Sequence, residues 1–272
     1  MPGAMFTDIR HFDSIDSTNR YLLDQARAGA PGGVVAVADH QSAGRGRLGR
    51  RWEAPPGSNL LVSVLLRPDL PGSHRHLAGA VVALAATDAV MTRFDLELGI
   101  KWPNDLHAPD GRKVAGVLAE ADLAGTGPAG PAPIVVGIGI NANWPGSDGD
   151  LPPELMGSAT SLRHVLGRPV DRSGLLESLL AALEPRAADL ASPSGRERQT
   201  ADLAGRCTTI GTRVRVQLPE EWFVGTATGV TDEGHLVVDD GVRVRTVVAG
   251  DVVHVRPGSG ALDAHGPHPG PE

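Results

Sequence analysis

The chain has 272 residues, a formal net charge of −7 and 41% hydrophobic composition. It can bury one large core and a smaller one, and it lacks the basic balance of a general nucleic-acid binder. Its only cysteine, Cys207, excludes an intrachain disulfide and the paired-cysteine spacings of zinc sites, which suits a cytoplasmic protein. In chain order, residues 1–19 show neither a basic n-region nor an apolar run, and no later stretch reads as a membrane span, so neither export nor membrane attachment is expected. A first strand is expected at Thr7–Phe12. STNRYLLDQARAG then reads as a helix, with Asp16 or Ser17 as N-cap and Gly29 as terminator.

VVAVA (34–38) and NLLVSVLL (59–66) read as buried strands, and the segment between them, with Pro55, Pro56 and Gly57, reads as a loop. HLAGAVVALAATDAVMTRF (76–94) is a helical pattern so apolar around its circumference that it must pack against a sheet. Strand-like pieces follow at LGIKW (98–102), KVAGVLAEA (113–121) and PIVVGIGIN (133–141), with DGRK (110–113) as a hairpin turn. LLESLLAALEPRAADLA (175–191) restores a helical period that Pro185 should kink or divide. From Gly211 the pattern becomes short alternating strands: RVRVQL (213–218), HLVVDDG (235–241), VRVRTVV (242–248) and DVVHVR (251–256). A sheet that short must close on itself to bury one face. The fold class is therefore α+β: a mixed β-sheet with packed helices over 1–207, then a small SH3-like β-barrel over 208–257. The Gly- and Pro-rich end, 258–272, reads as a disordered tail.

GRGRLGRRW (44–52) places four arginines and three glycines in nine positions. It satisfies G-x-G-x-x-G, and Asp69 stands 20 residues after Gly49, but RRWEAPPGS cannot form the helix that a dinucleotide fingerprint requires. Arg50-Arg51 stand where a P-loop needs Lys-Ser/Thr. What survives is a loop whose glycines let backbone N–H groups approach an anion while guanidinium groups fork onto it. Four clustered cations repel one another, so the loop should be mobile when empty and become ordered around a polyphosphate. A solvated basic surface loop is the plain alternative. KWPNDL (101–106) forms a rigid corner bearing Asn and Asp, and the glycines of GIGIN (137–141) leave a strand face bare enough for a flat ligand. His74 and His76 fall on different helix faces, and His265 and His268 lie in the tail, so no metal-hydrolase cluster is readable. Cys207 reads as a packed residue.

STN (17–19), QSAGRGRLGRRW (41–52), KWPNDL, GRKVAG (111–116) and GIGIN, in this order and at these separations, closely resemble the biotin protein ligase family. The β-rich end resembles the family's small SH3-like domain. The resemblance implies a catalytic fold of the class II synthetase and biotin–lipoate ligase type. It implies an enzyme that activates biotin with ATP to biotinyl-5′-AMP and pyrophosphate, with Mg²⁺, then passes biotin to a lysine of a biotin carboxyl carrier protein. Lys113, Arg45 and Arg47 match the catalytic positions. Ser17, Thr18, Asn19, Gln41, Gly44, Arg45, Lys113, Gly116 and Gly137 match biotin-binding positions, although Ser17 and Thr18 could equally cap the helix. Arg45, Arg47, Trp52, Asn104 and Asn141 match nucleotide positions, with Trp52 covering the ligand, and Asp105 matches the Mg²⁺-associated carboxylate. Thr160-Ser161-Leu162 flank the adenine, and Arg50 and Arg51 are peripheral. A lipoate ligase shares the fold but needs a long apolar channel. A DNA-binding biotin sensor would need a helix-turn-helix domain ahead of Ser17, which only sixteen residues precede. An inactive SH3-like adaptor is the third alternative.

Overall fold

Alternating apolar runs and glycine-marked turns assemble two sheets. The computed structural model describes residues 4–121, 132–248 and 250–254. The expected tail, with His265 and His268, and the last two residues of the expected strand 251–256 lie outside the described residues. The first sheet contains β1 (Ile9–Phe12), β2 (Val35–Ala38), β3 (Leu60–Leu66), β4 (Gly99–Lys101), β5 (Asp105–His107), β6 (Lys113–Ala121) and β7 (Ile134–Ile140). Their order is β1-β2-β3-β7-β6-β5-β4, parallel between β1 and β2 and antiparallel elsewhere. The turn around Gly111 joins β5 to β6 as the DGRK segment predicts, with Gly111 N donating to Ala108 O at 2.9 Å.

The two faces of this sheet differ because side chains alternate along a strand. Val62, Val64, Ile138, Ile140 and Val117 point into the main core, together with α2 (His76–Phe94) and α4 (Arg172–Asp189). By length and apolarity α2 does meet the composition of a membrane span, contrary to the expectation from sequence, but most of its residues are buried against the sheet and α4. Pro185 does not divide α4, which runs on to Asp189; Leu175, Leu179, Leu183 and Ala187 bury their side of it in the core, and that packing outweighs one missing backbone bond. On the opposite face α1 (Thr18–Arg27), N-capped by Ser17, packs Leu22 and Ala26 onto Ala36, Leu65 and Val135.

Sequence periodicity misses α3 (Leu162–Leu166), the polar α5 (Pro193–Arg206) and β9 (Trp222–Val230). The inward row of β9 is Phe223, Gly225 and Ala227, too small to stand out as a hydrophobic alternation. With β8 (Arg213–Gln217), β10 (Leu236–Asp239), β11 (Val244–Val247) and β12 (Asp251–His254) it makes an antiparallel sheet in the order β11-β10-β9-β8-β12. Among the described residues no pairing joins β11 to β12, so the five strands are seen as a sheet with two ends and not as a closed barrel. Its core contains Cys207, Val214, Val216, Phe223, Leu236 and Val238, and also Trp102 from the first sheet's side of the chain. Trp102 donates its indole N–H to Gly234 O at 3.0 Å and its backbone N–H to Thr209 Oγ1 at 3.0 Å.

Candidate active site

The site lies on the α1 face, where three strands present small or polar residues in adjoining positions. Register pairs Ser63 on β3 with Gly137 on β7, and Gly139 on β7 with Gly116 on β6. A Cβ at Gly137 would come within 2.2 Å of Asn19 Oδ1, and one at Gly139 within 2.5 Å of the Trp52 indole. The bare strand face read from GIGIN is thus covered by the protein's own side chains, Asn19 at one glycine and Trp52 at the next.

At the start of α1, Thr18 and Asn19 are buried and cross-braced. Gln41 Oε1 accepts from the backbone N–H of Thr18 at 2.8 Å and from its hydroxyl at 3.1 Å. Ser63 Oγ lies 2.7 Å from Thr18 Oγ1 and 2.6 Å from Asn19 Oδ1, and its single proton serves one of them at a time. Asn19 Nδ2 donates to Leu118 O at 3.1 Å and to Glu120 Oε2 at 2.8 Å. Ser17 fills the helix-capping role, its Oγ accepting from Arg20 N at 3.4 Å. Ser63 and Glu120 are site residues that the motifs do not contain. Their signals are present in the sequence: Ser63 is the one polar residue in LLVSVLL, and Glu120 continues the alternating row Gly116, Leu118.

The arginine loop folds over this wall as a narrow hairpin. Gly46 N donates to Arg50 O at 2.7 Å and Trp52 N to Gly44 O at 3.0 Å, around a turn at Arg47–Gly49. Its cations are distributed among separate partners, which offsets part of the mutual repulsion read from the sequence, although Arg50 still acts against the charge of Arg47. Arg45 pairs with Glu120 at 3.0 Å, Arg50 with Asp251 at 2.7 Å and Arg51 with Glu53 at 3.1 Å. Arg47 donates to Asn104 Oδ1 at 3.1 Å and to Gly250 O at 3.0 Å. Burial pushes the Arg47 guanidinium below its usual range, against the opposing pull of Asp251 and Asp105. Arg50 thereby ties the loop to β12.

Antiparallel register sets Lys101 opposite Asp105, and His107 opposite Lys113. Lys113 Nζ lies 2.7 Å from Asp105 Oδ1 and 5.5 Å from the centre of the Trp52 ring. The Lys113 backbone is clamped to the segment 158–160, its N–H donating to Ser158 O and its carbonyl accepting from Thr160 N. Burial lowers the pKa of His107, and Lys101 and Lys113 add to that, while Gly111 O and Asp105 oppose it. Trp52 Nε1 and His107 Nε2 are buried without a partner, which is where a ligand's polar atoms are needed.

The site residues expected from the sequence line one cleft of about 480 Å³, with the exception of Gly44 and of Thr160-Ser161-Leu162. Gly44 is buried at the root of the loop beside an adjoining hollow, where a Cβ would strike Trp52 O. Asn141 lines the cleft, but both ends of its amide are occupied, Nδ2 by Thr160 O at 2.9 Å and Oδ1 by Asn59 Nδ2 at 3.1 Å. Thr160-Ser161-Leu162 stand behind Asn141 and do not line the cleft: Ser161 caps α3, and Leu162 N donates to Asn141 O. Among the described residues no group of three or more metal-ligating side chains occurs. Asp105 is a single carboxylate, which fits a Mg²⁺ ion held chiefly by nucleotide phosphates and water.

Residues 11–141 match the biotin/lipoate A/B protein ligase family, and residues 209–255 match the biotin protein ligase C-terminal domain. The chain is 39% identical over 246 residues to the biotin–acetyl-CoA-carboxylase ligase of Mycobacterium tuberculosis, covering 88% of this chain and 86% of that protein. It is 32% identical to the protein of the same description from Paracoccus denitrificans, covering 87% and 96%. A 31% match to the bifunctional ligase/repressor BirA of Bacillus subtilis covers 89% of this chain and 72% of that protein. Among solved structures, the biotin protein ligase from Aquifex aeolicus in complex with biotin and ATP superposes with a TM-score of 0.77 at 26% identity, covering 92% of this chain and all of that one. On the evidence of both sheets, the cleft they enclose and these relatives, the chain belongs to the biotin protein ligase family.

Proposed function

We propose that this chain activates biotin with ATP and transfers the biotinyl group to a lysine of a carboxylase's biotin carboxyl carrier domain. The observation that carries the reading is the single cleft that joins a hydrogen-bonding wall (Thr18, Asn19, Gln41, Ser63) to a cationic end (Arg47, Lys113). A ureido ring needs donors and acceptors at fixed positions, and a wall built from two amides, two hydroxyls and a backbone edge offers both.

In the first step the biotin carboxylate oxygen attacks the α-phosphorus of ATP, and the bond to the pyrophosphate oxygen breaks. Two anions must meet, so positive charge held at the meeting point lowers the barrier. Lys113 and Arg47, which line the same cleft, supply it, Lys113 as a compact charge fixed by its clamped backbone and Arg47 as a half-buried fork. Mg²⁺ arriving with the nucleotide would neutralise phosphate oxygens when bound beside Asp105. In the second step an acceptor lysine amine attacks the acyl carbon and AMP leaves. The loop and Trp52 lie over the cleft and keep water from the mixed anhydride until then. A cytoplasmic reaction belongs to this reading, supported by the single cysteine of the chain.

The test is incubation with ATP, Mg²⁺, biotin and an apo carrier domain, with mass spectrometry of the carrier's lysine. A biotinyl adduct is expected on that one lysine. If lipoate replaces biotin equally well in ATP–pyrophosphate exchange, the specificity assigned here is wrong.

A further inference from the structure

Glu120 takes no part in the steps above, yet both halves of the site meet on it. It follows Gly116 and Leu118 on the site-facing row of β6, and its side chain is 25% exposed. One carboxylate oxygen, Oε2, accepts from Asn19 Nδ2 at 2.8 Å and from Arg45 Nη2 at 3.0 Å. Asn19 belongs to the fixed wall, bonded to Ser63 and Leu118 and pressed against Gly137. Arg45 belongs to the loop, in the antiparallel bridge with Arg51 that closes the hairpin. These donors come from segments 26 residues apart and meet on a third. A carboxylate oxygen accepts two such bonds, and both are strengthened by its charge.

The same contact divides the work of the two loop arginines. Arg45 is committed to a carboxylate, whereas the hydrogen bonds of Arg47 go to an amide and a carbonyl oxygen, weaker partners that a phosphate can displace. We propose that Glu120 is a positioning residue that couples closure of the arginine loop to the shape of the biotin wall, with Arg45 as the loop's anchor and Arg47 as its phosphate-facing cation. The proposal rests on the ligase reading above.

The test uses the full chain and two readouts: leak of biotinyl-AMP, scored as labelling of a bystander protein per adenylate formed, and the biotin KM in ATP–pyrophosphate exchange. Both are independent of the fraction of enzyme that is active. Glu120→Gln is expected to raise both by roughly two- to fivefold, the size that a half-exposed ion pair supports. Arg45→Met is expected to raise the leak by the same factor, and Asn19→Ala to raise the biotin KM. Combining Glu120→Gln with Arg45→Met should add nothing further to the leak, because both remove one contact. Additive leaks in the double variant, or a Glu120→Gln chain that moves neither readout, overturn the proposal. Should Glu120→Gln not fold, Arg45→Lys decides instead: it keeps a charge for Glu120 and must leak less than Arg45→Met, and equal leaks overturn the proposal. A wild-type chain that forms no biotinyl-AMP removes the ligase reading and the proposal with it, whereas a wild type that forms it alongside additive variants removes the proposal alone.

Discussion

Ser63 sits in the middle of β3 with no exposed surface, where a hydroxyl is tolerated only if it is bonded. Its partners, Thr18 and Asn19, are the residues that the family resemblance assigns to biotin, so its role is to hold their polar atoms at fixed positions before the ligand enters. Ser63→Ala takes away the hydroxyl, and with it the bond, at little change in volume. The expected cost is about 1–3 kcal/mol of biotin binding, or roughly 5- to 150-fold in Kd, measured by titration calorimetry; an unchanged Kd would show that Thr18 and Asn19 hold their positions unaided. The resemblance draws attention to STN and passes over Ser63 because a lone serine in an apolar run carries no motif. Only the cross-strand register with Gly137 reveals what it faces.

At the scale of elements, the paired glycines on β6 and β7 determine where the loop can rest. Gly116 and Gly139 face each other across the ladder, and the Trp52 indole lies against both. Gly139→Val introduces a good strand former into a strand that is already buried, so β7 should persist while its new side chain displaces Trp52. We expect the variant to keep its thermal midpoint, to lose the tryptophan's protected fluorescence, and to raise the KM for ATP by about tenfold, the scale of one lost aromatic contact. A shielded Trp52 in that variant would place the indole elsewhere. The element-level reading from sequence located the loop, the strands and the long helix α2 from periodicity and breakers. It missed α5 and β9 because their buried sides are built from small or sparse side chains, whose packing is decided by partners distant in sequence.

Across the whole molecule, the two sheets share structure. Trp102 is 1% exposed within the core of the second sheet, Arg50 pairs with Asp251, and Thr200 Oγ1 donates to Asp232 O at 3.0 Å. Trp102→Ala should therefore cost about 3–5 kcal/mol and weaken both units together, seen as a single cooperative transition at lower denaturant. Two separated transitions would mean that the units fold independently.

Acid should loosen the same junction. Burial, with His235 and Arg47 nearby, pushes His76 down to about 4, and burial, with Lys101 and His107 nearby, pushes His254 down to about 4. Both values lie below the 6.5 of an unfolded histidine, so as the pH falls the unfolded chain takes up protons first. The stabilisation is complete above about pH 6.5 and is lost as the pH falls toward 4. The thermal midpoint is expected to drop between about pH 7 and pH 5, and His76→Phe should flatten that slope. A slope identical in the two chains would remove His76 from this account.

The sequence by itself determined most of the strands and helices, the cationic loop and the family, and it named most of the residues that gather around one cleft, because periodicity, breakers and short motifs are local properties of a chain. It could not determine the partner of each arginine, the cover that Trp52 places on two glycines, or the entry of Trp102 into the second core. Those depend on which segments lie across from one another in the folded sheet, and hydrogen bonds and ion pairs form between neighbours in space whatever their distance along the chain.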